Sequence, residues 1–541
     1  VSRSPGPLPS VDRWIEHWAD QVPDRVAVIF EDEVVTYRDL AARVDAMVAR
    51  LTAASVGPGD RVAFCGLNRV EQVEALAACA RLGAVLLPLN NRLSVAELHY
   101  QLDDATPTVA LVTDGFGPTV ARAGGPGLAV VDLDGPDGGP APGPGGRHLP
   151  GSGRPTPRPD GRGPPAGVAD PRAPILMVYT SGTTGRPKGA VHTRGSLLFT
   201  VLNGVAHQDL TADDRVLTLL PLFHVGGLNI QTLPALYVGA TVVLQRRFDA
   251  GRTLELVARH RPTQTLLVPA VMAALLDHPD LDRTDLSSLR GVNSGSSVVP
   301  DHLIRGFLDR GLPVGQVYGA TETGPTAVVL RYADGEDHIG SCGRPALHTE
   351  IRLVDADGVD VEPGRAGELA VRGPHLFDHY HGRPTDTEAA FVDGWYRTGD
   401  VARRDPGGWL FIEDRLGDVL ISGGENVYPA EVENALVEHP DIGAVAVIGR
   451  PDGRWGEIPV AVVEASGDRP PPTVEELRAW CADRLARYKQ PREVVVVDQL
   501  PRTALGKVTK HLLRERILAG PPAPGMGPAP TSGGTGSERL H

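Results

Sequence analysis

Cysteine is scarce in this 541-residue chain: Cys65, Cys79, Cys342 and Cys481 stand far apart, with no CxxC pair and no close set of histidines. That spacing argues against a structural zinc site and against a disulfide framework. Positive charge is also in short supply. Lys and Arg number 53 against 67 Asp and Glu, leaving a formal charge of −14. Broad contact with DNA or RNA needs clustered cations, so no nucleic-acid partner is expected. A small anionic ligand needs only a few local donors and is not excluded. Long apolar runs are missing as well. The opening VSRSPGPLPSVDRW has no signal-peptide core, and no run approaches 18 apolar residues. No membrane span is expected, and the reducing cytoplasm is the default location.

Glycine and proline are in excess. Gly 64 and Pro 49 make up about a fifth of the chain, against roughly 12% on average. Much of the excess has one address: 20 of the 32 residues from Gly135 to Ala166 are Gly or Pro. Such a stretch buries too little apolar surface to offset its ordering entropy. A disordered insertion is expected over 135–166, and a disordered tail over 520–541.

Elsewhere, short β-branched runs alternate with helical patterns. Arg61–Gly66 precedes Glu71–Leu82, Thr265–Val268 precedes Pro269–Asp277, and Gly291–Ser294 precedes Val299–Arg310. The alternation predicts an α/β fold with parallel or mixed sheets flanked by helices over residues 1–416. A smaller α+β unit is predicted over 417–519. Its strands are Val419–Ile421, Val445–Ile448, Val460–Glu464 and Glu493–Asp498, and its helices are Ala430–Glu438 and Val474 to about Tyr488. Thr473 and Glu476 form a TxxE capping box at the start of the second helix.

The strongest local signal is Tyr179-Thr-Ser-Gly-Thr-Thr-Gly-Arg-Pro-Lys-Gly-Ala190, after the apolar run Ile175–Tyr179. Thr180, Ser181, Gly182, Thr183, Thr184 and Gly185 offer four hydroxyls and two glycines whose N–H groups can converge on phosphate oxygens. Lys188 adds a point charge. The Gly-Lys-Ser/Thr ending of the common P-loop is absent.

On these residues the chain resembles the AMP-forming acyl- and aryl-CoA synthetases of the adenylate-forming superfamily. Five further motifs of that family follow in order: Tyr318-Gly-Ala-Thr-Glu-Thr323, Trp395-Tyr-Arg-Thr-Gly-Asp400, Asp414-Arg-Leu-Gly-Asp418, Ser422-Gly-Gly-Glu-Asn-Val-Tyr-Pro429 and Pro501-Arg-Thr-Ala-Leu-Gly-Lys507. The resemblance spans roughly residues 10 to 515. It implies a large N-terminal domain, a small mobile C-terminal lid, and ATP, Mg2+ and CoA as reactants and cofactor.

By the same resemblance, Thr180–Gly185 holds the β- and γ-phosphates and Glu322 ligates Mg2+, the usual single carboxylate beside substrate phosphates. Thr321 donates to the α-phosphate and Tyr318 stacks on adenine, with Gly319, Ser296 and Ser297 completing the nucleotide set. Asp400 accepts the ribose hydroxyls, and Arg415 adds a charged donor. Lys507 bridges the incoming carboxylate and the α-phosphate. Gly423 keeps the pattern of thioester formation. Gly417 replaces the Asp or Lys usual at the hinge, so an altered lid rotation is expected.

The acid pocket is drawn by resemblance from His224, Gly227, Asn229, Asn293, Gln316 and Cys342, with His224 as candidate gate. By resemblance, the segment Asn293-Ser-Gly-Ser-Ser297 carries serines where relatives often have glycine or alanine. Arg194 stands where many have histidine, and nothing in the sequence accounts for that change. The leading expectation is a ligase joining a fatty or aromatic acid to CoA. Loading of a separate carrier protein, nitrite activation for an aromatic amine, and a non-catalytic nucleotide binder are the alternatives; monomer and homodimer both stay open.

Overall fold

The computed structural model describes residues 10–135, 170–180, 187–296, 299–422, 425–452, 455–467, 469–482, 484–485, 487–502 and 508–518. The expected insertion, apart from Gly135, and the expected tail lie outside these residues. Among the described residues, 10–417 form one compact unit, and 418–502 with 508–518 form a second.

Two large sheets organise the first unit. The nine-stranded sheet runs in the order 344–345, 328–330, 314–318, 291–295, 264–267, 215–218, 241–244, 26–30, 33–36. Its inner pairs, from 314–318 across to 26–30, are all parallel. The seven-stranded sheet runs 379–380, 188–193, 174–180, 85–88, 61–65, 109–112, 129–132. It is parallel except for the hairpin 174–180/188–193 and the edge strand 379–380. Strands buried on both faces read as continuous apolar runs, as Val85–Pro88 and Val109–Val112 do.

The side-chain alternation of single strands sorts the layers. Val62 and Phe64 join a core with Val28 and Phe30 of the other sheet and with Leu40, Val44 and Leu76 of helices Tyr37–Ala53 and Val70–Leu82. Ala63 and Cys65 point the other way, toward Leu98 and Leu102 of helix Val95–Ala105. Leu217 and Val243 likewise face Leu254, Met272 and Ile304 on the outer helices. Helices therefore lie between the sheets and outside each of them. Helices Tyr37–Ala53 and Val95–Ala105 begin with reciprocal capping boxes at Thr36/Asp39 and Ser94/Glu97. An antiparallel sheet of 350–354, 366–372, 395–404, 391–392 and 410–415 completes the unit.

The second unit has its own five-stranded sheet, ordered 425–427, 420–422, 456–465, 442–452, with 493–496 parallel to 456–465. Its long hairpin exceeds expectation. Ile442–Asp452 pairs with Gly456–Ala465 through Gly449↔Pro459 and Asp452↔Gly456, so residues that read as a loop extend the ladder. The helix expected to reach Tyr488 stops at Cys481. There the Ala482 N–H turns back to the Ala479 carbonyl, and Arg484 Nη1 donates to the Trp480 carbonyl at 2.8 Å. The Thr473/Glu476 capping box is present as read.

Candidate active site

Thr180, Glu322, Tyr318 and Ser296 all lie at the carboxyl ends of strands 174–180, 291–295 and 314–318, where open α/β sheets bind ligands. Thr180 pairs with Lys188 across the hairpin, so both ends of the hydroxyl-rich loop are fixed. Ser181–Arg186, and with them Ser181, Gly182, Thr183, Thr184 and Gly185, lie outside the described residues. Glu322 sits in a short 3-10 turn, Thr321–Thr323, and is buried with Thr321. Two hydroxyls converge on its Oε1: Thr180 Oγ1 and Tyr380 OH each donate at 3.0 Å. Among the described residues, no group of three or more His, Cys, Asp or Glu is placed to hold a metal ion. A divalent cation here would have one carboxylate and must take its other oxygens from elsewhere, which suits Mg2+ shared with phosphates.

Lys188 Nζ lies 3.2 Å from Asp386 Oδ1 and 5.3 Å from the centroid of the Tyr380 ring. Beneath the loop, Asp104 accepts from Tyr179 OH at 2.7 Å and from Arg383 Nη2 at 2.7 Å, while Tyr100 OH donates to the Pro187 carbonyl. Tyr380, Asp386, Asp104 and Arg383 carry no motif in the sequence. Strand His379–Tyr380 is two residues long and reaches the site only by pairing with Val191 and Ala190.

On the nucleoside side, Tyr318 OH donates to Asp400 Oδ2 at 2.6 Å. Arg415 Nε stands 2.8 Å from Asp400 Oδ1, an ion pair without the alignment of a hydrogen bond. Neighbouring strands supply the geometry, since Asp400 and Arg415 are direct cross-strand partners. The Asp400 charge raises the pKa of Arg415, and burial raises that of Tyr318 well above the ordinary phenol. Gly319 is required by close packing: a Cβ there would meet the Pro325 carbonyl oxygen at 2.3 Å.

The residues expected to line an acid pocket divide. His224 and Asn229 flank Gly227 in a segment whose residues Gly226–Thr232 form a π-helical turn, a form frequent at functional sites. Asn229 is fully buried with neither amide atom paired, and His224 Nδ1 is likewise buried without a partner. Burial pushes the His224 imidazole down to about 4. Gly227 does not line open space. A Cβ there would strike the Leu220 and Pro221 carbonyl oxygens at 2.4 and 2.7 Å, so it is a packing glycine. Asn293 is also drawn away from a pocket, into buried bonds with His207 Nε2 at 3.0 Å and Tyr332 OH at 2.6 Å. Cys342 packs in the core beside Leu410, its thiol donating to the Leu410 carbonyl at 3.3 Å, and burial raises its pKa to about 12. Gln316 is buried on strand Val314–Tyr318.

Ser296 holds a left-handed φ of 79°. Glycine adopts that conformation without strain, and a serine there does not. Ser297, Gly423 and Lys507 lie outside the described residues. Arg194 receives a structural account: its guanidinium donates to Ser10 Oγ at 2.9 Å and to the Ala80 carbonyl, bracing the start of helix Val11–Gln21 against helix Val70–Leu82.

A family model described as AMP-binding enzyme matches residues 15–381, and one described as AMP-binding enzyme C-terminal domain matches 431–507. The chain is 43% identical over 519 residues to the indoleacetate–CoA ligase of Aromatoleum aromaticum, covering 94% of this chain and 98% of that protein. It is 42% identical over 508 residues to a feruloyl-CoA synthase of Amycolatopsis sp., covering 93% and 98%. Among solved structures it matches the o-succinylbenzoate CoA synthetase of Bacillus subtilis in complex with its acyl-adenylate intermediate, with a TM-score of 0.83 and 33% identity, covering 94% and 99%.

Proposed function

Because this chain belongs to the AMP-binding enzymes, we propose that it is an AMP-forming carboxylic acid–CoA ligase whose acid carries an aromatic ring. The reaction uses ATP, Mg2+ and CoA and passes through an acyl-adenylate. In the first half, a carboxylate oxygen bonds to the α-phosphorus as the bond to pyrophosphate breaks. In the second, the CoA sulfur bonds to the acyl carbon and AMP leaves.

The observation that supports the site most is the bond from Thr180, first residue of the phosphate motif, to Glu322, the acidic residue of a motif 142 positions away. That contact sets a carboxylate beside the loop where a magnesium-bound triphosphate needs one. Bound there, Mg2+ offsets phosphate charge as a Lewis acid. Tyr380 and Thr180 orient the carboxylate, Asp400 accepts from ribose hydroxyls, and Arg415 holds Asp400 in place. Thr321 donates to the α-phosphate, and Lys507 brings a cation to the meeting of the two anions. A preorganised charge of this kind is worth roughly 10²–10³ in rate.

The aromatic acid is supported by the two relatives above, whose names specify indoleacetate and ferulate. The buried, unpaired polar atoms of Asn229 and His224 are consistent with an acid that brings a hydrogen-bonding group on its ring. The test is AMP and pyrophosphate release over arylacetic, arylacrylic and fatty acids, with and without CoA, and over nitrite–arylamine pairs. Thioester formed preferentially from ring-bearing acids is expected. Preference for long-chain fatty acids would overturn the substrate class, and CoA-independent turnover of nitrite with an amine would overturn the acceptor.

A further inference from the structure

Segment 380–386 makes three side-chain contacts around the phosphate motif, one of them with the motif itself. Tyr380 donates to Glu322, Arg383 pairs with Asp104 below Tyr179, and Asp386 pairs with Lys188. The first two contacts brace the site. The third engages the group that phosphate itself would engage. The Lys188 side chain is only 13% exposed, whereas Asp386 is 36% exposed at the start of helix Pro384–Ala390. A largely buried ammonium needs a counter-ion, and Asp386 provides one. Lysine is a flexible point charge with three donors, so it can pass between two anionic partners without moving the backbone.

We infer that Asp386 is a resident counter-ion of Lys188 that exchanges with the β- and γ-phosphates: it yields the ammonium as nucleotide binds and recovers it as pyrophosphate leaves. The inference rests on reading residues 180–188 as the phosphate loop. Its consequence runs against the usual effect of removing a contact. Taking away Asp386 should tighten the hold on phosphate, because Lys188 no longer has a competing partner.

The experiment measures binding of magnesium pyrophosphate and MgATP to the full chain by calorimetry in four forms: wild type, Asp386→Asn, Lys188→Ala and the double variant. Asp386→Asn is expected to bind pyrophosphate about two- to fivefold tighter, the range for a partly exposed ion pair. Lys188→Ala should bind it more weakly, and adding Asp386→Asn to Lys188→Ala should change nothing. Asp386→Glu, which keeps the carboxylate, should stay near wild type, and equal melting temperatures would show that the fold is kept. No gain in Asp386→Asn, while Lys188→Ala weakens binding, would overturn the exchange alone. An equal gain in both backgrounds would also overturn it, since only the long-range field of the carboxylate would then be acting. If Lys188→Ala left pyrophosphate affinity untouched, the phosphate-loop reading would fall and the exchange with it.

Discussion

Around Asp400 and Glu322 the carboxylates are met from within the chain, by Tyr318, Arg415, Thr180 and Tyr380. Around His224 and Asn229 the polar groups are not so met: Asn229 leaves two amide atoms buried and unpaired, and His224 leaves one ring nitrogen so. The two regions share one unit and the same rim of strand ends, yet they are organised on opposite principles. On the side we read as the nucleotide site, Asp400 and Glu322 are already held in place, so these two carboxylates need little reorientation when ligand arrives. The side we read as the acid site withholds stability, because each unmet buried polar group costs about 1–3 kcal/mol. A site that serves a constant partner can be completed in advance; one that selects among acids keeps bonds in reserve.

The largest effect is expected where the two sides meet chemically. Lys507→Ala should lower acyl-adenylate formation by about 10²–10³-fold, read by pyrophosphate exchange. Thr183→Ala, which removes one neutral hydroxyl, should cost only about fivefold. Comparable losses in the two would break the ranking of charge over hydroxyl. Next, Asp400→Asn should raise the KM for ATP by about 10- to 100-fold, because Arg415 keeps its charge and loses its partner. It should leave the KM for the acid nearly unchanged, and an equal shift in both would erase the distinction between the sides.

A smaller effect is expected from Tyr380→Phe. Loss of one hydroxyl donor to the Glu322 carboxylate should raise the Mg2+ concentration for half-maximal rate about three- to tenfold, with kcat recovered at saturating metal. The last prediction concerns stability. Burial pushes His192, His207, His224 and His375 down to about 4, whereas an unfolded histidine titrates near 6.5. Between those values the unfolded chain binds protons that the fold refuses. Stability is therefore full above about pH 6.5 and falls as pH drops toward 4. Melting temperature followed across that window should decline by several degrees, and His192→Met should flatten the slope. A flat profile in the unaltered protein would contradict these buried neutral imidazoles.

Much of this was legible locally. Alternating apolar runs announced the parallel strands, Thr473 and Glu476 announced their helix, and the hydroxyl-rich motif announced itself by composition. What could not be read was whatever depends on the element across the way. Gly227 resembles a pocket glycine until the Leu220 and Pro221 carbonyls are found against it. Asn293 is a polar residue at a strand end whose bonds go to His207 and Tyr332, distant in sequence. Tyr380 and Asp386 belong to a stretch with no periodicity, and only the pairing with Ala190 and Lys188 gives them a place. Arg194 is explained by Ser10 and Ala80, each more than a hundred residues away.

Position 417 closes the first unit, directly after Leu416, whose N–H is tied to the Gly399 carbonyl at 2.7 Å. A methyl group built on Gly417 would meet nothing within 4 Å, and its backbone is not in the left-handed region. Crowding therefore does not reserve the spot for glycine, and a bulkier residue would be seated without a clash. Aspartate placed at 417, where the structure leaves room for its Cβ, would show what a side chain at that point contributes to turnover.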